Sequence, residues 1–315
     1  GNPFAWLIYG AVRRDPSPMV HLRSHLFFTS LFGALGARRS GKAIVLSVHG
    51  VRAVRTRFIN FLQEVWLQTV ARILFALADR VVCLTDSDRT EVLRYGARPQ
   101  RTVTLFNSYS EAAFFPAPAD APSGEAVAVW VGRHVEEKGI RYLLEAWPLV
   151  LRQVPAARLV LVGDGPLRAE AERQAAALGI AASVRSERFQ PQAAVGDALR
   201  ASRVFVLPSV QEGFPRSLVE AMACSKPVIT TDGLTEVVGD AGRTVPARDP
   251  AALAQALVAY LGDPLLAQQT GERALRRVRD RFSIGHLVDR HLDVYREAVA
   301  ERQRRAGRSK VPSGD

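Results

Sequence analysis

The sequence predicts an α/β protein of two domains, each built on a parallel sheet with helices on both faces. Three observations carry this. The chain has 315 residues, 48% apolar and 23% charged, which suits about two ordinary globular domains and is far from a disordered composition. Short, almost wholly apolar runs recur along it, as expected of strands buried on both faces. Helical stretches separate these runs, which is how parallel strands have to be joined.

In the first half, Met19–Leu22, Ala43–Val48 (A-I-V-L-S-V) and 80–84 (R-V-V-C-L) have the strand pattern. Between the last two, Phe58, Phe61, Leu62, Val65 and Trp66 fall on one face of a helix. Residues 116–125 (P-A-P-A-D-A-P-S-G-E) have no periodicity and break the chain, giving a first domain over 1–116 and a linker over 117–125. The second domain, 126–282, then alternates. A strand at 126–131 precedes a helix at 140–154, and Arg158–Val162 leads through G-D-G-P to a helix ending at Leu178. Val204–Leu207 precedes a helix ending at Ala223, and 227–230 is a further strand. Ser283 suits the N-cap of a last helix over 283–300, and 301–315 has the composition of a basic, frayed tail.

No apolar run approaches the roughly 20 residues needed to cross a bilayer. Cys83 and Cys224 lie in apolar runs without C-x-x-C or metal spacing and suit small buried thiols in a reducing compartment. The six histidines offer no zinc pattern, and no signal peptide is visible before the first strand. Charge is uneven: 1–116 holds 15 Lys and Arg against 7 Asp and Glu, a net of +8, whereas the remainder holds 27 against 24, a net of +3. A basic half favours an anionic partner such as acidic lipid or a phosphorylated substrate, although 38 of the 42 basic residues are Arg and a compositional bias explains the excess equally well. Without an aromatic-interleaved basic stripe, nucleic acid is not an expected partner.

Ligands of open α/β sheets sit beyond the carboxyl ends of the strands, so the loops that follow each strand are the place for chemistry. In V-G-R-H-V-E-E-K-G-I (131–140), Gly132 permits a tight turn, and Arg133 and Lys138 flank a helix start suited to phosphate. A solvated loop in which Glu136 and Glu137 balance Lys138 is the plainer alternative. In Q-E-G-F-P-R-S-L-V-E-A-M-A (211–223), Glu212 sits at a strand-to-helix turn. Glu220 follows eight residues later, about two helical turns on, where a carboxylate accepts bonds from ribose hydroxyls; two surface glutamates are the alternative. V-G-D-G-P (162–166) lacks the third glycine of a dinucleotide fingerprint and by itself marks only a turn.

Taken together in order and spacing, these segments resemble the retaining, nucleotide-sugar-dependent glycosyltransferases of family 4, over roughly residues 20–300. The resemblance is carried by V-G-R, E-K-G-I and L-L-E-A, then L-V-G-D-G-P, V-L-P-S-V-Q-E-G-F-P-R-S-L-V-E-A-M-A-C-S-K-P-V-I and G-L-T-E-V-V, with S-V-H-G (47–50) and A-D-R-V-V (78–82) upstream. It implies the GT-B architecture of two Rossmann-like domains, the first on the acceptor side and the second holding the donor. Arg133 and Lys138 match the family's diphosphate-binding pair, and Glu220 its ribose-binding glutamate. Glu212 with the backbone of Gly213 and Phe214 matches the contacts to the donor sugar, and His49 a histidine near the reacting centre. Glu236 matches a loop glutamate outside this set. The last helix is expected to cross back onto the first domain.

The chain departs from the family in three places. Nothing before residue 19 resembles its first strand and Gly-rich loop, so the first domain is expected to be truncated. Asn107-Ser108 stands for the usual Asn-Gly, and Arg188-Phe189-Gln190 for Phe-x-Gly near the base. The activity implied is transfer of a sugar from a UDP- or GDP-linked donor to a hydroxyl of a glycan, lipid-linked or small-molecule acceptor, with retention. Neither a metal nor a further cofactor is expected. A cytoplasmic location is expected, with the basic domain available for the inner membrane face. A sugar-nucleotide epimerase, a phosphorylase and a non-catalytic nucleotide-sugar-binding remnant are the alternatives.

Overall fold

The computed structural model describes residues 5–51, 57–118 and 125–308. The chain forms two compact units, one of residues 1–107 with 285–315 and the other of 108–284.

Unit 1 contains α1 (Ala5–Arg14), β1 (Met19–Leu22), α2 (Phe28–Arg39), β2 (Ala43–Val48), α3 (Arg57–Trp66), α4 (Arg72–Leu77), β3 (Arg80–Cys83), α5 (Asp86–Arg94) and β4 (Thr102–Thr104), with a π-helical turn at Leu67–Ala71 joining α3 to α4. Its four strands are parallel in the order β1-β2-β3-β4, with Met19 beside Ala43, Val45 beside Arg80 and Val81 beside Thr102. Alternation along β2 separates two cores. Ile44, Leu46 and Val48 pack with Leu74, Phe75 and Ala34 on one face, whereas Ala43 and Val45 meet Val294 and Ala298 of the C-terminal helix, Ile284–Arg308, on the other.

Ion pairs fasten that helix: Arg80 donates to Glu297 (3.2 Å) and to Glu301, Arg101 lies 3.3 Å from Glu301, and Arg305 lies 3.8 Å from buried Asp79. Residues 301–308, expected as part of a frayed tail, are helical, and within them Glu301 and Arg305 pair with Arg80, Arg101 and Asp79 of the sheet side. The apolar face of α3 differs in another way. Phe58, Phe61, Leu62 and Val65 share a face as expected, but that face is exposed, while Glu64 on the other side accepts from the Tyr95 hydroxyl (3.0 Å).

Unit 2 runs β5 (Val127–Val131), α6 (Ile140–Gln153), β6 (Arg158–Val162), α7 (Arg168–Ala177), β7 (Val184–Glu187), α8 (Gln192–Ala201), β8 (Val204–Leu207), α9 (Arg216–Ala223), β9 (Val228–Thr231), α10 (Thr235–Val238), β10 (Gly242–Val245), α11 (Pro250–Gly262) and α12 (Pro264–Phe282). Its six parallel strands are ordered β10-β9-β8-β5-β6-β7. The two edge strands, V-R-S-E and G-R-T-V, escape the apolar-run criterion because an edge is only half covered. The units divide at Asn107 rather than in the proline-rich stretch, because residues 109–115 pack on unit 2: Arg200 donates to the Ala113 carbonyl (3.3 Å), and its guanidinium lies 4.1 Å from the centre of the Phe115 ring. Of that stretch, 119–124 lie outside the described residues.

Among the described residues, no single helix is long and apolar enough to cross a membrane. Both thiols are buried, and desolvation pushes them up, Cys83 to about 12 and Cys224 to about 11, which leaves them unreactive.

Candidate functional site

In unit 2 the order of strands reverses at β5: β6 and β7 follow on one side, β8, β9 and β10 on the other. Such a reversal opens a crevice between the loops that leave the two neighbouring strands, here β5 and β8. The first of these loops carries Arg133 and Lys138, and the second carries Glu212, Gly213 and Phe214.

Backbone contacts fix the first loop. The amides of Gly132 and His134 donate to the Val162 and Asp164 carbonyls (3.0 and 2.9 Å), and Val210 N–H donates to the Glu137 carbonyl (2.8 Å). Two glycines make this closeness possible. Gly139 has φ +64°, and a Cβ there would overlap the Pro208 carbonyl; Gly163 has φ +141°, and its Cβ would overlap the Gly132 carbonyl. G-D-G-P is thus more than a turn: its backbone braces the loop that presents Arg133.

The structure brings Lys138 and Glu212 together. Lys138 Nζ pairs with Glu212 Oε1, which also accepts from the Ser209 hydroxyl (2.8 Å), while the Ser209 carbonyl accepts from Thr231 Oγ1 (2.7 Å). Arg133 is exposed, and among the described residues it has no ion-pair partner. Phe214 is buried with its ring 5.7 Å from that of Phe282, so what it can offer a ligand is backbone.

Glu220 is buried on α9, 3.5 Å from Arg216. Desolvation raises its pKa above the usual carboxylate range, with Arg216 opposing. The expectation that two helical turns separate Glu212 from Glu220 is corrected, because Pro215 caps α9 and the helix starts only at Arg216. Glu212 belongs to the preceding loop, held there by Lys138 and Ser209.

Three features add to what the sequence marks. Arg216 opens α9, and its i,i+4 spacing to Glu220 was the available signal. Phe189 follows β7 with 82% of its surface exposed, in the segment where the family pattern is broken. The third is in unit 1, where His49, exposed at the end of β2, has its pKa lowered by burial and by Arg23. Beside it in the fold, His21 Nε2 is hydrogen-bonded to Ser47 Oγ (2.7 Å) and its Nδ1 to the Tyr295 hydroxyl (3.0 Å). Burial first, then His291, Arg23 and His49, hold His21 at a pKa of about 4, so it is neutral at pH 7. Tyr295 is 274 residues from His21, and no local pattern announces that contact.

Residues 125–263 match the family described as "Glycosyl transferases group 1", and residues 2–110 match "Glycosyltransferase Family 4". Alpha-maltose-1-phosphate synthase of Mycolicibacterium smegmatis is 30% identical over 317 residues, covering 91% of this chain and 80% of that protein. D-inositol 3-phosphate glycosyltransferase 1 of Catenulispora acidiphila is 31% identical, covering 91% and 74%. Among solved structures, sucrose-phosphate synthase from Thermosynechococcus elongatus superposes with a TM-score of 0.81 at 24% identity, covering 95% and 78%. Anabaena Alr3699/HepE in complex with UDP gives 0.79 at 19% identity, covering 92% and 81%.

Two Rossmann-like units with the strand-end loops described above define a glycosyltransferase of the GT-B fold. The chain belongs to glycosyltransferase family 4.

Proposed function

We propose that this enzyme transfers a sugar from a nucleoside diphosphate sugar to an acceptor hydroxyl with retention of anomeric configuration, in the synthesis of a glycolipid or cell-surface polysaccharide. The observation that carries this reading is the meeting of Lys138 and Glu212 at the point where the strand order of unit 2 reverses. Cleavage of the donor passes through an oxocarbenium-like state and leaves a nucleoside diphosphate that gains negative charge. Arg133 and Lys138 neutralise that charge, each contributing on the order of 2–4 kcal/mol to the barrier by analogy with an oxyanion donor. Glu220 accepts from the ribose hydroxyls, and Glu212 with the backbone of Gly213 and Phe214 orients the sugar. The acceptor's proton passes to the departing phosphate oxygen, and His49 is assigned to the reaction by its match to the family's histidine alone.

Support for a uridine donor comes from Alr3699/HepE, which was crystallised with UDP. The test is a thermal-shift and calorimetric comparison of UDP, GDP and ADP, followed by proton NMR of the anomeric centre in the product. UDP stabilising the protein, with Glu220→Ala abolishing the shift, supports the assignment. Unchanged nucleotide affinity in Glu220→Ala, or an inverted product, overturns it.

A further inference from the structure

The exposed apolar face of unit 1 has no counterpart in the donor site. Phe58 and Phe61 are 69% and 63% exposed, and Leu62 and Val65 lie beside them at helical spacing. Trp66 ends the same stripe and carries it across to α2, its ring meeting that of Phe28 edge-on with centroids 4.6 Å apart. Phe27 and Phe28 are themselves more than half exposed. An amphipathic helix on a water-facing domain ordinarily buries this side. Here the side turned inward is the one with Glu64, bonded to Tyr95.

The position of this surface is informative. Phe27 and Phe28 follow the carboxyl end of β1, and α3 follows that of β2, so the patch rises from the sheet edge that also carries His49 and exposed Arg23. Charge points to what covers it. Residues 1–107 with 285–315 contain 22 Lys and Arg against 11 Asp and Glu, a net of +11, and residues 108–284 balance 20 against 20. The whole surplus of the chain is on the unit that bears the patch, and exposed Arg72 stands just beyond it on the same helical rod. A second copy seated on this face would oppose two units of +11, whereas an anionic bilayer offers both apolar depth and the opposite charge.

We propose that Phe27, Phe28, Phe58, Phe61, Leu62 and Val65 form a membrane-docking face that inserts into the interface of an anionic bilayer, so that unit 1 takes its acceptor hydroxyl from a lipid at that surface. The acceptor part of this rests on the transferase reading above; the docking part does not.

The test is co-flotation of the full chain with phosphatidylcholine vesicles, with and without about one third phosphatidylglycerol, at low and high salt. Binding is expected to the anionic vesicles, to be at least about tenfold weaker to neutral ones, and to weaken as salt is added. Replacing Phe58, Phe61 and Leu62 together by Ser lowers the partition coefficient by about a hundredfold, with the melting midpoint and UDP affinity kept. Leu265→Ser, an equally exposed position in the neutral unit, leaves it unchanged. Absence of flotation with either vesicle overturns the proposal, as does a triple variant that floats like the parent. A concentration-dependent dimer in sedimentation that the triple substitution abolishes, without vesicle binding, assigns the face to self-association and overturns it as well. UDP binding without flotation rejects docking alone, and flotation without UDP binding rejects the donor assignment alone.

Discussion

Lys138 and Glu212 satisfy one another in the unliganded protein, yet the proposed chemistry needs each for a different part of the donor. Their side chains are only 17% and 12% exposed, so the pair is largely out of water. In Lys138→Ala the Glu212 carboxylate keeps one donor, the Ser209 hydroxyl at 2.8 Å. Leaving a mostly buried carboxylate so poorly matched costs about 1–3 kcal/mol of stability, less than for a fully buried ion. The same change removes a charge-assisted contact to the diphosphate, about 1.5–3 kcal/mol, which weakens UDP binding roughly 10- to 150-fold. Glu212→Gln acts differently: it keeps the side-chain volume, frees the ammonium from its partner, and leaves UDP affinity equal or up to about tenfold tighter while transfer slows. Isothermal titration with UDP on the three proteins, with melting midpoints to confirm folding, separates these outcomes. Equal UDP affinity in the parent and Lys138→Ala would refute the reasoning. So would Glu212→Gln weakening UDP as much as Lys138→Ala does.

Three further outcomes can be measured. Because burial raises the Glu220 pKa, its ionised form is lost earlier than usual as pH falls, and UDP affinity should drop below neutrality in the parent more steeply than in Glu220→Gln. Gly139→Ala forces a left-handed residue and a clash with the Pro208 carbonyl, and should lower stability by ~2–4 kcal/mol in a denaturant melt and loosen the Arg133 loop. Buried His25 has its pKa lowered to about 4 by desolvation, with a bond to the Val51 carbonyl opposing, so the unfolded chain binds its proton more readily between pH 6.5 and about 4. The His25 contribution to stability is therefore complete above pH 6.5 and lost progressively toward pH 4, by up to ~3 kcal/mol, and His25→Gln should flatten that part of the stability profile.

The parallel strands were legible because burial on both faces leaves no room for polar residues, as in A-I-V-L-S-V of β2. The same criterion misses β7 and β10, which are edges. The loop residues are singled out by motif order, not by spacing: the helical arithmetic that relates Glu212 to Glu220 fails because Pro215 sets the start of α9. The Lys138–Glu212 pair spans 74 residues, and only the reversal of strand order at β5 brings its two loops side by side. Periodicity grouped the apolar residues of α3 correctly, but it states which residues share a face and not whether that face meets core or water. The stretch at 117–125 had the composition of a boundary, whereas the actual division is decided by tertiary contacts of Phe115 and Ala113 with Arg200.

The neutrality of unit 2 bears on how a donor is both held and released. Twenty basic residues are balanced by twenty acidic ones, so unit 2 adds no net charge to the attraction of a nucleotide, and its hold on one has to come from local geometry. Lys138 and Arg216 each carry their own carboxylate, Glu212 and Glu220, and Arg133 alone of the site's cations is uncommitted among the described residues. In the proposed site a diphosphate therefore meets one open cation and two that must be shared. In the proposed reaction the sugar occupies Glu212 while the diphosphate occupies Lys138, and both exchanges hold only while donor is intact. Once the sugar has left with the acceptor, Glu212 regains its claim on Lys138 and competes directly with the product diphosphate. On the proposed reading the pair that tempers donor affinity also speeds release of the nucleotide, and slower dissociation of UDP from Glu212→Gln is the expected kinetic counterpart of tighter binding.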